Sequence, residues 1–142
     1  MIGADEIQEL IPHTGAMSLL DRVVSFDDQA VVCASQSHLD DKNPLRTELR
    51  LSAVNAIEYG AQAMALHSAL MGFATEGSYL VAARDVELSS SWLDDVPGTL
   101  QVSAMQVMRD EQAAIYQFSV SAAARVLVSG RLTVMFSLET QS

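Results

Sequence analysis

The chain has 142 residues, 49% of them hydrophobic, a formal net charge of -10 and one cysteine. That length buries an apolar core as a single domain, residues 1–142, without disulfides or metals, and 18 acidic against 8 basic residues argue against nucleic acid or an anionic membrane as partner. Cys33, in the apolar run AVVCAS, rules out an internal disulfide and reads as a buried strand thiol of a cytoplasmic protein, and the acids of MIGADEIQEL do not fit a secretory signal.

Ala4 to Ile11 predicts a short helix with Ile7, Leu10 and Ile11 inward, stopped by Pro12, which disfavours helix at the residue before it. Ser18–Phe26 and Ala30–His38 read as strands around the turn-prone Asp27 and Asp28. Asp40 to Arg50, DDKNPLRTELR, is a polar loop. It delivers the chain to LSAVNAIEYGAQAMALHSALMGFAT, Leu51 to Thr75, a helix with Ser52 as N-cap and Gly72 as stop. Interior Gly60 costs about 1 kcal/mol relative to alanine, and marks either a close approach by another backbone or a ligand, or simple tolerance. The segment approaches membrane-spanning length, but Asn55, Glu58, Gln62 and His67 interrupt it, which fits a buried helix in a soluble protein.

Strands follow the helix, beginning with Tyr79 to Leu88. Leu100 and Val102 alternate with Gln101 and Ser103, then Met105 and Val107 switch parity and predict a bulge. Tyr116, Phe118 and Val120 alternate with Gln117, Ser119 and Ser121. Val126, Val128, Leu132, Val134, Phe136 and Leu138 share one parity, opposite to Arg125, Ser129, Arg131, Thr133 and Ser137, as a half-buried strand requires. Turns at Pro97-Gly98, Arg109-Asp110 and near Ala123 are short, so consecutive strands are antiparallel neighbours. One long helix with five or six such strands is α+β, the sheet wrapped around the helix. Edge strands of a small curved sheet need cover, and edge-to-edge pairing of two protomers supplies it.

Glu58 is the one side chain certain to be charged in that helix. Small or apolar residues surround it on every face, so its carboxylate is wholly or partly buried, and a buried carboxylate is normally paired, protonated or working. Capping a neighbouring backbone or meeting an arginine is the alternative to chemistry. Asn55, Glu58, Tyr59 and Gln62 fall three or four apart and predict one polar stripe along the helix. Arg84 shares parity with Leu80, Ala82, Val86 and Leu88, which points it not outward but inward or toward a dimer groove, where it could pair with Glu58. Trp92, Met105 and His67 read as packing.

Three motifs carry a resemblance. Ile11-Pro12-His13, Met17 and Leu19-Leu20-Asp21-Arg22-Val23 resemble the opening of bacterial 3-hydroxyacyl-acyl-carrier-protein dehydratases of the hotdog fold. Glu58-Tyr59-Gly60-Ala61-Gln62-Ala63 resembles their helix motif, and Tyr79 to Leu88 with Val96-Pro97-Gly98 and Leu100 their third segment. The likeness is nearest to the divergent dehydratase-like proteins of aryl-polyene clusters. It implies a hotdog fold and dehydration of 3-hydroxyacyl thioesters to 2-enoyl thioesters in fatty-acid or polyene-type biosynthesis. The substrate carries its own phosphopantetheine or coenzyme A, and no separate cofactor or metal is implied. Acyl carrier protein or a coenzyme A thioester is the implied partner, with a homodimer or a heterodimer with another hotdog subunit.

The chain departs from the family at the His-Phe-Pro-Gly motif that precedes the helix and supplies the catalytic base, for Asp40 to Leu51 contains no histidine and no glycine. His13 is the replacement the resemblance favours, with His38 second. Dehydration needs a base for the proton beside the carbonyl, an acid for the departing hydroxyl and donors for the carbonyl oxygen. His13 would be the base and Glu58, its pKa raised by an apolar site, the acid. Amides near Ser52 to Asn55 would face the thioester oxygen, while Asn55, Tyr59, Gln62 and Arg84 line the substrate. The alternatives are a hotdog acyl thioesterase, in which Glu58 activates water or attacks the carbonyl, and a catalytically silent acyl-binding or partner subunit.

Overall fold

A computed structural model describes residues 2–11, 18–73 and 79–136. Helix α1 spans Ala4–Leu10 and buries Ile7, and is followed by strands β1 (Arg22–Phe26) and β2 (Ala30–Ser35). A 3-10 turn over Ala53–Asn55 then leads into α2, Ala56–Leu70. Strands β3 (Tyr79–Leu88), β4 (Leu100–Arg109), β5 (Ala113–Ala122) and β6 (Arg125–Met135) complete one six-stranded antiparallel sheet in the order β1-β2-β4-β5-β6-β3. Helix α2 lies across β2, β4, β5 and β6, and β1 and β3 are the two edges. The expected α+β architecture is present, and no helix among the described residues is long and apolar enough to cross a membrane.

The core forms because period-two and period-3.6 apolar patterns meet face to face. Tyr116, Phe118 and Val120 of β5 are fully buried beneath α2, as are Val102 and Ala104 of β4. Cys33 is among them, and burial pushes its thiol up to about 12, which leaves it inert. At Gly60 the close approach is a ring rather than a backbone or ligand: a Cβ there would stand 2.6 Å from Phe118. Gly130 of β6 flanks the same ring, its own Cβ position 3.0 Å from Phe118 Cε1.

Two hairpins close with the same chemistry. In Asp27-Asp28-Gln29-Ala30 the Asp27 carboxylate accepts the Gln29 and Ala30 amides at 2.8 and 2.9 Å, and in Asp110-Glu111-Gln112-Ala113 the Asp110 carboxylate accepts those of Gln112 and Ala113 at the same distances. These donors hold both carboxyls below their usual range. The β5–β6 hairpin instead turns through Ala123 (φ 51°) and Ala124 (φ 65°), left-handed conformations that alanine disfavours.

Several expectations need correcting, and most corrections trace to irregular ladders. The expected strands from Ser18 and to His38 are shorter, because Ser18–Asp21 lies outside the sheet ladder and His38 sits in a 3-10 turn, Ser37–Leu39. The predicted β4 bulge occurs between Gln106 and Met108, and it leaves Val107 exposed. Met105 is 51% exposed on the outer face, so it does not pack in the core. A shift between Val120 and Ser121 turns Val126 outward and Leu127 inward. On β3, register shifts on both sides of Ala82–Arg84 and the left-handed Asp85 (φ 53°) reverse the parity, and Arg84 is exposed. Ser137 and Leu138 lie outside the described residues.

Candidate active site

Glu58 sits in the first turn of α2 and is half-buried. One turn later Gln62 is 1% exposed, and its Oε1 accepts the Leu19 amide at 2.9 Å. Because a backbone N–H can only donate, this bond fixes the orientation of the Gln62 side chain and turns Nε2 toward Glu58 Oε1, 3.4 Å away. Among the described residues no ion pair joins Arg84 to Glu58.

The Leu19 carbonyl, in the following peptide unit, continues the network on the other side of the residue. It accepts Ser37 Oγ at 2.8 Å and also the Ser35 hydroxyl. Ser37 Oγ lies 2.7 Å from the Tyr59 hydroxyl, which accepts Asn43 Nδ2 at 3.1 Å. Since Ser37 gives its one proton to Leu19, Tyr59 donates to Ser37. Every donor in the series Asn43, Tyr59, Ser37, Leu19, Gln62 then points the same way, ending on the Glu58 carboxylate. Alignment of this kind polarises the bonds within each half, Asn43 to the Leu19 carbonyl and the Leu19 amide to Glu58, the two halves being separated by the Leu19 Cα. The Leu19 backbone and the two side-chain amides prevent proton relay, so the series positions the Glu58 side chain without shuttling protons.

The predicted stripe therefore divides by depth. Tyr59 is fully buried and braces the loop through Ser37 and Asn43. Asn55 is half-buried and reaches the Leu45 carbonyl at 3.4 Å. Gln62 spans the gap between them and Glu58's surroundings. The expected open amides at the helix start are occupied: Ala53 N donates to Ser91 O at 2.9 Å, Val54 N to the Ser52 cap at 3.3 Å and Asn55 N to Ser52 O at 3.0 Å.

His13 lies outside the described residues. His38 is fully buried, with Nε2 donating to the Val96 carbonyl at 2.9 Å and Nδ1 lacking a partner among the described residues. Burial holds its pKa below the usual imidazole range. His67 is also enclosed, Nε2 donating to Asp27 O at 2.9 Å and Nδ1 accepting the Tyr116 hydroxyl at 2.6 Å, so its packing role stands. Asp94, which sequence reasoning missed, gathers the start of the helix segment by accepting Arg50 Nε at 2.8 Å and Leu51 N at 3.1 Å. Of the missed residues, Ser37 had one signal, a small polar side chain directly after an apolar strand, and Asn43, in the polar loop beyond it, had none.

An antiparallel sheet curled over one long helix that bears a lone carboxylate defines a hotdog-fold protein, and the solved structures it resembles share that architecture. The dehydratase heterocomplex ApeI:P from Xenorhabdus doucetiae matches with a TM-score of 0.80 at 23% identity, over 94% of this chain and 92% of that one. The E. coli PaaI protein from the phenylacetic acid degradation operon matches at 0.65 and 13% identity over 93% and 88%. A mutant thioesterase from Pseudomonas aeruginosa matches at 0.65 and 11% over 93% and 91%. The chain belongs to the ApeP-like family, described as ApeP dehydratase, whose model matches residues 5–142. A search of curated proteins finds no match.

Proposed function

We propose that this chain dehydrates 3-hydroxyacyl thioesters, with Glu58 as the acid and His13 as the base. In this reading His13 takes the proton from the carbon beside the carbonyl, and Glu58 gives a proton to the departing hydroxyl, which leaves as water as the 2-enoyl double bond forms. The observation that carries the reading is the Gln62 amide. It holds Glu58 at one end and the Leu19 backbone at the other, which ties the acid to the stretch that follows His13. Asn55, at the helix start, and the half-buried flank of Glu58 are the surfaces proposed to meet the acyl group. The family supports dehydration over hydrolysis.

A second hotdog subunit completes the proposed assembly. The β3 edge supports this, since Tyr79, Leu80 and Val81 are 57%, 40% and 48% exposed along a strand paired on one side only. The heterocomplex of the related structure is the precedent. The proposal is tested by incubating the chain, alone and with a hotdog partner, with a 3-hydroxyacyl thioester and its 2-enoyl counterpart. Interconversion without thiol release is the expected result, and Glu58→Gln abolishes it while leaving the far-ultraviolet circular dichroism unchanged. Thiol release would identify a hydrolase, and full turnover by Glu58→Gln would remove the carboxylate from the mechanism.

A further inference from the structure

We propose that Arg84 and Arg131, directly opposite each other on the outer face of the sheet, form the docking site for an acidic carrier-protein surface; this rests on the dehydratase reading.

The chain carries 18 acidic residues and 8 basic ones. Most of the basic side chains that the structure engages are turned to internal tasks. Arg46 and Arg50 converge on Asp94 at 3.9 and 2.8 Å. Arg109 turns inward to the Ser68 hydroxyl, its guanidinium 4.1 Å from the Phe73 ring centroid, and Arg125 donates to the Ser89 carbonyl at 3.2 Å. Among the described residues Arg22 and Lys42 are exposed and unengaged as well, but each stands apart from other cations, whereas Arg84 and Arg131 face each other. They are exposed cross-strand partners between β3 and β6, and among the described residues neither makes an ion pair or hydrogen bond. Two carboxylates lie nearby without pairing to them: Glu87, on the same face opposite Ser129, and the exposed Asp85 in the bulge beside Arg84.

Two features of this arrangement work against the fold. Like charges directly opposite one another in a ladder are destabilising. The pair exists because the β3 irregularity, with Asp85 in the left-handed region, reverses the parity that Val86 and Leu88 would otherwise impose and turns Arg84 outward. A bulge of this kind re-aims a side chain, and strain retained beside a like-charge pair that makes no ion pair points to an external anion. Gln117 continues the row beside Arg131, and Ser129 and Ser119 lie in the next row, all able to donate hydrogen bonds. Subunit pairing at the β3 edge extends the sheet in its own plane and leaves this outer face uncovered. An acidic carrier approaching a chain of net charge -10 needs such a local exception, and charge complementarity at this pair provides it.

The test measures binding of a phosphopantetheinylated acyl carrier protein to the intact chain by fluorescence anisotropy, across a salt series. Arg84→Ser/Arg131→Ser is expected to weaken binding about tenfold at low salt and to flatten its salt dependence. Relief of the like-charge contact means that Arg131→Gln alone melts no lower than the natural chain while losing part of the affinity, a combination that general misfolding does not produce. An affinity within twofold of the natural chain in the double variant, or no carrier binding by the natural chain, overturns the docking site. Turnover of a carrier-free 3-hydroxyacyl N-acetylcysteamine thioester separates the two proposals. Equal turnover by the natural and double-variant chains, with carrier affinity unmoved, defeats the docking site alone. Affinity lost in the variant with no dehydration by either chain defeats the dehydratase reading and leaves the docking site standing.

Discussion

Replacing Gly60 with alanine sets helix propensity directly against packing. In an exposed helix the change would gain about 1 kcal/mol from reduced backbone entropy. Here the new Cβ would lie 2.6 Å from Cδ2 and Cγ of Phe118, a ring with 0% exposure. The ring is hemmed in from the other side by the β6 backbone at Gly130, where even a Cβ would stand 3.0 Å from Cε1. Overpacking of this kind costs roughly 1–3 kcal/mol, and the van der Waals overlap places Gly60→Ala toward the upper end of that range. Net destabilisation of about 1–2 kcal/mol follows, a fall in Tm of about 3–7 °C for a chain of this size. The same displacement moves the turn that carries Glu58 and Gln62, so activity falls further than stability alone accounts for. Urea unfolding of Gly60→Ala, Phe118→Leu and the double variant measures the coupling. A smaller residue at 118 should absorb the methyl group, making the double variant more stable than the sum of the single changes implies. A Gly60→Ala chain as stable as the natural one, or strictly additive effects, would refute the contact as the reason for glycine.

Two further outcomes follow from turn geometry and from charge. Ala124→Gly relieves a left-handed alanine at φ 65° and should stabilise the chain by about 1 kcal/mol, read as a higher urea midpoint with an unchanged m-value. Asp94 would be raised by burial, but the Leu51 amide and Arg50 outweigh this and hold its carboxyl below the ordinary value of 3.8. Its stabilising contribution is therefore complete above the unfolded value and lost as pH falls through the lower folded one. Asp94→Asn should accordingly be less stable than the natural chain at pH 7, with the gap narrowing below about pH 4 in acid unfolding. A gap that widens in acid would contradict the assigned sign.

The parts of the fold most legible in the sequence were those governed by strict period. Helix α2 was readable from its apolar circumference and from Ser52 and Gly72, and the alternation of Tyr116, Phe118 and Val120 matches their burial. Legibility ended wherever one extra residue entered a ladder, since a single insertion exchanges the two faces. The β4 bulge announced itself through Met105 and Val107, whereas the β3 irregularity passes through Asp85 with no glycine to mark it, and so Arg84 was assigned to the wrong face. At the site, Glu58 and Gln62 were visible as helical neighbours. The links through Leu19, Ser37 and Asn43 were not, because three of the contacts run through backbone atoms, whose hydrogen bonds leave no imprint on residue type. The satisfied amides at Ala53–Asn55 follow from a 3-10 entry that Ser52 alone did not distinguish from an α-helical one.

The twin aspartate turns give the molecule an electrical orientation. Asp27, Asp28, Asp110 and Glu111 occupy two turns at the same end of the sheet, where His67 meets the Asp27 carbonyl, the helix presents its negative pole and Arg109 offsets one of the four charges. Charge is thus distributed with a direction as well as a sign. A negatively charged visitor would feel a torque away from that tip before any contact, and lowering the ionic strength would sharpen the angle of its approach.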